Sequence, residues 1–410
     1  MKTKAKYCLL SLIIAVIGGY LLMVAAYCLP IDVIRKNVSH SMSVFFDRTD
    51  STGGFQYLQV DRFTDSLMVN TAIDRGTGNP FKDAVLNTRL LYPEKSSTES
   101  LVKSLLVEDT DMAHEEIYSR YWHGYLVFLK LALMVSHVQG IYMINICIQL
   151  FLTVTLALKM VEVMGKKNMY AWLYTLFILN PVSMAICFQY GATFYVTTIT
   201  LLYILTHASQ MKDTNRIWKV MLWAGIAMSY LDLLTSPIVT WGFPLLIIIT
   251  LNHSSLRERV KEFFIGSFAW GIGFAGMWMS KWILATIVRK EAALQDVMKS
   301  VVGYTSNRPE NGQGRFDGMI ANIHFLSNKA VLLTVIIGVC IIMAWVVRDK
   351  LVFDLQASAL VYLLFVAATL LWFIIINGHA SIHYFMTYRN MTVAIFAVEL
   401  MILESWKRKE

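Results

Sequence analysis

The chain has 410 residues, of which 56% are hydrophobic and 16% are charged, and its mean hydropathy is +0.53. A soluble domain carries about 25% charged residues, so this composition excludes a soluble enzyme and predicts a multi-pass membrane protein. The net charge of +8 is spread over short loops between apolar runs. That distribution is typical of cytoplasmic loops and does not indicate a nucleic-acid partner.

The first segment, residues 1–29, is predicted to be a transmembrane helix. Lys2, Lys4 and Lys6 precede an apolar run of about twenty residues, which is long enough to span a bilayer. No small-x-small cleavage site stands before Pro30. We therefore expect a retained first span rather than a signal peptide.

Residues 30–139 are too long for a connector and are predicted to form a small extracytoplasmic cap. Amphipathic pieces such as Phe63 to Ile73 alternate with turn residues. The stretch 120–137 has a Tyr- and Trp-rich start, which favours an interfacial helix at the headgroup level. Within that start, Tyr121 and His123 are candidate substrate-binding residues.

The later apolar runs predict nine more spans. Basic clusters follow every second apolar run. They all lie on the same side of the membrane only if the run at 140–163 is the second crossing. We therefore expect about ten transmembrane helices in an all-α polytopic fold, with both termini cytoplasmic. The predicted parts after the cap are transmembrane helices 2–7 (140–288), a second extracytoplasmic loop (289–329), and transmembrane helices 8–10 with a cytoplasmic tail (330–410). The predicted later spans lie near 140–163, 169–188, 191–209, 217–235, 237–252, 263–288, 330–347, 355–376 and 383–405.

Two acidic positions of the first loop are candidate catalytic residues. Asp61 and Asp65 are four residues apart, which puts both carboxylates on one face if this stretch is helical. Paired carboxylates can divide their roles, one as a base and the other holding substrate or cation. The alternative is ordinary helix capping and surface solvation.

Asp232 and Lys281 are charged residues at span ends that we expect to face the same compartment as Asp65. Asp232 either contributes to substrate binding or caps a helix that begins near Ser236. Lys281 either extends its ammonium to the headgroups or joins Arg389 in a cationic pocket for a lipid phosphate.

The last apolar stretch begins with His379 and His383 and carries Arg389. Ionisable groups are costly in hydrocarbon, so this cluster indicates a cavity, a partner or an anionic ligand. Arg308 or Arg289 could complete a phosphate pocket, because the planar guanidinium binds phosphate oxygens in pairs. The two histidines lack an HExxH glutamate and a third ligand, so no metal site is predicted.

Two further patterns have simpler explanations. The glycines at 271, 273 and 276 match a dinucleotide-binding pattern by letters, but they lie in an apolar run, where close helix packing explains them better. The five cysteines lack CxxC spacing, and we expect neither a disulfide framework nor a metal site from them.

These features together resemble the GT-C superfamily of polyprenyl-phosphate-sugar-dependent membrane glycosyltransferases. The layout is similar: an N-terminal span, a long outer loop with an Asp-centred motif, a Tyr/Trp-rich surface helix and many further spans. Local strings look like bacterial cell-surface polysaccharide members of that superfamily. They lie at 61–70, 120–125, 188–190, 230–237 and 379–389.

The resemblance implies roles for individual residues. In this superfamily an outer-loop carboxylate deprotonates the acceptor hydroxyl, a role that carries over to Asp65 with Asp61 as the substitute. The acidic motif of the family often follows the first span closely, and Asp32 and Asp47 lie nearer to it, so the identity of the base stays open.

The resemblance also implies partners. Basic groups at outer span ends hold the lipid phosphate, which matches Lys281 and Arg389. The implied partners are a polyprenyl-phosphate-linked sugar donor, a glycan or lipid acceptor and the bilayer, with no firm cofactor and a divalent cation left open. The alternatives are a lipid-linked oligosaccharide polymerase or ligase, and a transporter or flippase of a charged lipid.

Overall fold

The computed structural model describes residues 2–46, 60–93, 95–106, 113–289, 291–305, 314–327, 338, 351–353 and 355–408. The described chain is mostly helical, with three 3₁₀ turns at Ala208–Lys212, Ala357–Val361 and Tyr388–Met391. The α-helices are α1 (Lys2–Tyr27), α2 (Ile31–Ser39), α3 (Met42–Phe46), α4 (Arg62–Ile73), α5 (Pro80–Leu86), α6 (Ser97–Leu106), α7 (Tyr125–Val135), α8 (Val138–Met164), α9 (Lys166–Leu179), α10 (Pro181–Ala185), α11 (Phe188–Thr206), α12 (Thr214–Leu231), α13 (Val239–Asn252), α14 (Leu256–Arg289), α15 (Glu291–Thr305), α16 (Asp317–Leu326), α17 (Tyr362–Ile375), α18 (Asn377–Ile382), α19 (Tyr384–Thr387) and α20 (Thr392–Ser405).

Two short antiparallel ladders complete the secondary structure. In the first, β1 (Thr88–Leu91) pairs with β2 (His114–Ile117). In the second, β3 (Leu351–Phe353) pairs with β4 (Trp406–Arg408), which ties the end of the described chain back to residues before α17. Both ladders are too short to form a sheet core, so helix packing determines the fold.

Five of the helical segments that the structure describes are long and apolar enough to cross a membrane. They confirm the prediction of a helical, multi-pass membrane protein. The expected number of ten spans stays a prediction, and the predicted span 330–347 falls outside the described residues except for Gly338. The five segments are Lys4–Tyr27, Val138–Met164, Leu256–Arg289, Ala357–Ile375 and Tyr384–Ser405.

The helix α13 forms the centre of the bundle. Every residue from Val239 to Thr250 is buried, and the helix packs against α11, α12, α14 and α20. A helix that is apolar on all sides is buried on all sides, and its length of 14 residues is shorter than a full bilayer crossing requires.

The helices α12 and α14 pack closely through glycine. A side chain at Gly225 would overlap the carbonyl of Trp270, and one at Gly273 would overlap the carbonyl of Leu222. Gly271, by contrast, faces open space. The glycine pattern of α14 therefore serves helix packing, as the sequence indicates, and Gly273 carries that role.

The segment between α1 and α8 folds into a small helical unit with its own apolar cluster. Trp122 joins this unit to α14 by donating a hydrogen bond from Nε1 to the carbonyl oxygen of Met277 at 2.6 Å. The expected surface helix over 120–137 begins only at Tyr125, because His123 adopts a left-handed conformation with φ of 57°. Buried members of the cluster include Met23, Ile34, Val38, Met68, Val69, Leu101 and Leu126.

Candidate functional site

Asp65 lies fully buried at the junction of α4 and α11. Its carboxylate accepts hydrogen bonds from the backbone N–H groups of Phe188 and Gln189, both at 3.2 Å, and from the Tyr142 hydroxyl at 2.9 Å. The Cys187 thiol donates to the same carboxylate at 3.2 Å. Asp65 therefore caps the N-terminus of α11 from a neighbouring helix, where orphan N–H groups need an acceptor.

Opposing effects act on the pKa of the Asp65 carboxyl. Burial raises the pKa of this carboxyl, while the Arg62 guanidinium, 3.7 Å away, and the donated hydrogen bonds act in the opposite direction. Both oxygens already accept hydrogen bonds. This arrangement fits a structural cap better than a base that must meet an acceptor hydroxyl, so the predicted catalytic role is not favoured by the geometry.

Asp61 is the N-cap of α4. One carboxylate oxygen accepts from the backbone N–H of Thr64 at 2.9 Å, and the other accepts from the Thr64 hydroxyl at 2.6 Å. Asp61 is therefore a helix cap in the structure, which is the alternative stated from the sequence. Of the nearer acidic residues, Asp32 is exposed and pairs with Arg75 at 2.7 Å, and Asp47 falls outside the described residues.

Lys281 does not extend to a headgroup layer. Its side chain is fully buried, and the ammonium donates to the side-chain oxygen of Asn87 at 2.6 Å and to the carbonyl oxygen of Ala84 at 3.2 Å. The same ammonium lies 5.5 Å from the centre of the Trp122 ring. Lys281 thus fastens α14 to the end of α5.

Arg389 lies in a different surrounding. It is fully buried, donates from Nε to the carbonyl oxygen of Leu179 at 3.0 Å, and places its guanidinium 3.8 Å from the ring centre of Tyr190. Leu179 ends α9, where a cation compensates the orphan carbonyls. These contacts share no residue with those of Lys281, and a joint phosphate pocket of the two residues stays a prediction.

The other arginines proposed for a phosphate pocket have separate locations. Arg289 pairs with Asp296 at 2.7 Å and donates to the Ser119 hydroxyl at 3.0 Å. Arg308 falls outside the described residues.

A second group, which contains three of the predicted residues, does converge, and we call it the His379 network: Arg120, Tyr121, Tyr304, His379 and His383. The hydroxyls of Tyr121 and Tyr304 are 2.7 Å apart. The Tyr304 ring centre lies 4.9 Å from that of His379, and the His379 and His383 ring centres are 4.7 Å apart. Segments distant in the chain therefore meet in one polar and aromatic cluster.

Arg120 is held in the network by its own backbone and by aromatic rings. Trp278 and Trp282 of α14 both donate indole N–H groups to its carbonyl oxygen, at 2.8 and 3.1 Å. Its guanidinium lies 4.7 Å from the ring centre of Tyr118 and donates to the Ser300 hydroxyl at 3.0 Å. A half-buried guanidinium of this kind is suited to an anionic ligand.

His379 is a buried imidazole with a defined tautomer. Its Nε2 lies 3.1 Å from the carbonyl oxygen of Leu234, and since a carbonyl only accepts, Nε2 carries the proton and Nδ1 the lone pair. Nδ1 has no hydrogen-bond partner within the described part of the chain. Burial, reinforced by the neighbouring His383, lowers the pKa of His379 to about 3, so the ring is neutral at pH 7.

Asp232 stands in the same turn as Leu234, directly after α12. It is buried, and one carboxylate oxygen accepts from the backbone N–H of Thr235 at 2.8 Å. The other oxygen has no hydrogen-bond partner among the residues that the structure describes. The capped turn leads into α13, which begins at Val239 rather than near Ser236.

His123 connects to the network through aromatic contacts. Its Nε2 lies 2.7 Å from the Tyr118 carbonyl oxygen and its Nδ1 lies 3.1 Å from the Tyr125 hydroxyl. Its ring centre is 6.3 Å from that of Tyr121. Burial lowers the pKa of His123 well below the ordinary value, so this neutral ring orients residues beside the network.

The structure thus divides the predicted site residues into two classes. Asp65, Lys281 and Arg389 each connect segments distant in the chain through buried hydrogen bonds, and Asp61 caps α4. Tyr121, Asp232, His379 and His383 gather near one end of α12, with His123 alongside. Sequence reasoning missed Arg120 and Tyr304 as members, although Arg120 adjoins Tyr121 and Tyr304 lies in the second predicted outer loop.

No group of three or more His, Cys, Asp or Glu side chains is placed to hold a metal ion in the described ranges. Comparison of the chain with protein-family models, with curated proteins and with solved structures finds no match.

Proposed function

We propose that this chain is an integral-membrane glycosyltransferase that moves a sugar from a polyprenyl-phosphate donor to an extracytoplasmic glycan or lipid acceptor. The observation that supports the proposal is that a guanidinium, a neutral imidazole bonded to the turn after α12, and a carboxylate in that same turn come from segments that meet at the end of α12. They belong to Arg120, His379 and Asp232. A transfer at a membrane surface requires these groups: a cation for the departing phosphate and a base for the acceptor hydroxyl.

In the proposed reaction Asp232 replaces Asp65 as the base. The open oxygen of Asp232 takes the proton of the acceptor hydroxyl, and the resulting oxygen attacks the anomeric carbon of the donor sugar. The bond from that carbon to the phosphate oxygen breaks, and the electron pair leaves with the polyprenyl phosphate, which Arg120 stabilises. A single displacement inverts the anomeric centre.

The proposal includes the topology. Ten spans with both termini in the cytoplasm place the His379 network on the extracytoplasmic side. The basic residues near the start of α12 support this orientation, because cationic loops stay on the cytoplasmic face. The apolar length of the five candidate spans supports a cell-membrane location.

The test is a transfer assay on the full chain in vesicles, with a panel of polyprenyl-phosphate sugars and glycan or lipid acceptors. Wild type should transfer at least one sugar, and Asp232→Asn should lose about 10²–10⁴-fold in rate. Glu115→Gln, which changes an exposed carboxylate of β2, is the matched control. Unchanged transfer by Asp232→Asn would remove it from the mechanism.

A lipid-linked oligosaccharide polymerase or ligase is the second candidate. The adjacency of His379 and His383, with ring centres 4.7 Å apart, near Arg120 favours it, because that class also uses outward-facing Arg and His residues. The same vesicles loaded with a polyprenyl-diphosphate oligosaccharide separate the two functions. Turnover of the diphosphate donor alone would establish the second candidate.

A further inference from the structure

A long apolar groove lies between α7, α8, α11 and α12, apart from the contacts of the His379 network. Its volume is about 950 Å³. Aliphatic and aromatic side chains form most of its wall, and several of them are exposed on the bundle surface. Representative wall residues are Phe128, Ile144, Ile148, Val196, Ile199 and Ala227.

The groove has two different ends. Arg216 and Lys219 line it near the start of α12, and Leu231 lines it at the end of the same helix. Fifteen residues of helix separate Arg216 from Leu231, a rise of about 22 Å. That length accommodates an extended acyl chain, since one leaflet of hydrocarbon is about 15 Å thick.

The two cations at the first end have aromatic neighbours. The Arg216 guanidinium lies 5.5 Å from the ring centre of Tyr203, and the Lys219 ammonium lies 5.0 Å from that of Tyr7. Neither cation has an ion-pair partner in the part of the chain that the structure describes. Among the described residues, no acidic side chain lines the groove.

We propose that this groove binds one anionic phospholipid, with its phosphate at Arg216 and Lys219 and an acyl chain along the apolar wall. Two cations beside tyrosine rings at the end of an apolar groove are suited to bind an anionic headgroup at the membrane interface. The apolar wall accommodates the acyl chain, and the two cations select an anionic headgroup.

The position of Arg216 and Lys219 distinguishes the proposed phospholipid site from a site for the sugar donor. A polyprenyl-phosphate donor must bring its phosphate to the His379 network beyond Leu231, about 22 Å from Arg216 along α12. The phospholipid proposal therefore stands whether or not the chain transfers sugars, and its test uses no sugar substrate.

The test measures thermal unfolding of the full chain in a neutral detergent with added lipid. Phosphatidylglycerol and phosphatidylcholine with identical acyl chains are titrated separately, because ligand binding to the folded state raises the Tm in proportion to log concentration. We expect at least tenfold tighter apparent binding of phosphatidylglycerol. Equal stabilisation by both lipids would overturn the assignment of an anionic ligand.

The variants localise the effect. Arg216→Gln combined with Lys219→Gln should weaken the apparent phosphatidylglycerol affinity at least tenfold. Lys212→Gln, which alters an exposed lysine of the same basic cluster that does not line the groove, should leave the affinity unchanged. If the double variant does not fold, Lys219→Gln alone serves, because that side chain is exposed.

The apolar wall is tested by Ala227→Trp, which fills the groove. This variant should weaken phosphatidylglycerol binding as strongly as the loss of both cations. Retained affinity in both Ala227→Trp and the charge variant would place the lipid elsewhere. Stabilisation by free polyprenyl phosphate that exceeds that by phosphatidylglycerol and depends on Arg216 would replace the phospholipid with an isoprenoid ligand.

Discussion

The Nε2 atom of His379 lies 3.1 Å from the carbonyl oxygen of Leu234, so α18 and the turn after α12 are joined by one hydrogen bond. Leu234 has a φ of 68°, a left-handed conformation that is uncommon for a branched aliphatic residue. Such conformations persist where surrounding contacts hold them. The hydrogen bond to His379 is one of these contacts, and it attaches the imidazole to the turn that also contains Asp232.

His379 should make stability depend on pH. The folded-state pKa of about 3 lies below the unfolded value of about 6.5, so the unfolded chain binds the proton first as pH falls. Stability is therefore full above about pH 6.5 and decreases toward pH 3. We expect the Tm of wild type to drop between pH 7 and pH 5, and His379→Gln to flatten that drop.

His114→Gln, at an exposed position of β2, is the control for the pH experiment and should retain the wild-type dependence. An identical pH profile in His379→Gln would show that another group causes the loss.

Asp65→Asn should destabilise the protein. Asparagine keeps one acceptor oxygen but replaces the other with an amide N–H₂, which cannot accept a hydrogen bond. The buried donors that bond to that oxygen in wild type therefore lose their partner, at a cost of about 1–3 kcal/mol. The measurement is the Tm in detergent, with Asp32→Asn at an exposed position as the control. A wild-type Tm combined with abolished transfer would instead restore Asp65 as the base.

Gly273→Ala should lower the Tm, whereas Gly271→Ala on the same helix should not. An added methyl group at Gly273 overlaps the Leu222 backbone, and at Gly271 it meets open space. Overpacking costs about 1–3 kcal/mol, while glycine to alanine in a helix otherwise gains about 1 kcal/mol. Equal Tm values for the two variants would contradict the close packing of α12 and α14.

Tyr304→Phe should weaken transfer without large loss of stability. The change removes the hydroxyl 2.7 Å from that of Tyr121 while the ring beside His379 remains. A hydrogen bond contributes about 1 kcal/mol, so we expect about a fivefold fall in kcat/KM in the vesicle assay. Tyr170→Phe, at an exposed tyrosine of α9, is the control, and a matching fall there would exclude a specific role for the network.

Composition and hydropathy were sufficient to predict a helical, multi-pass membrane protein, because the bilayer requires long apolar helices whatever the tertiary arrangement. The same information predicted that the glycines of α14 serve packing. It also predicted a helix within 120–137, although with a start five residues early, because the left-handed His123 delays the helix to Tyr125. Such backbone conformations depend on tertiary contacts rather than on local sequence.

The role of each polar residue was decided by the tertiary structure alone. From the sequence, Asp65 was a candidate base by its spacing from Asp61, and Lys281 and Arg389 were candidate phosphate ligands by their charge beside apolar runs. The fold surrounds each of them with donors or acceptors from segments distant in the chain. It leaves His379 Nδ1 and one oxygen of Asp232 open among the described residues, because hydrogen-bond satisfaction depends on which segments meet in space.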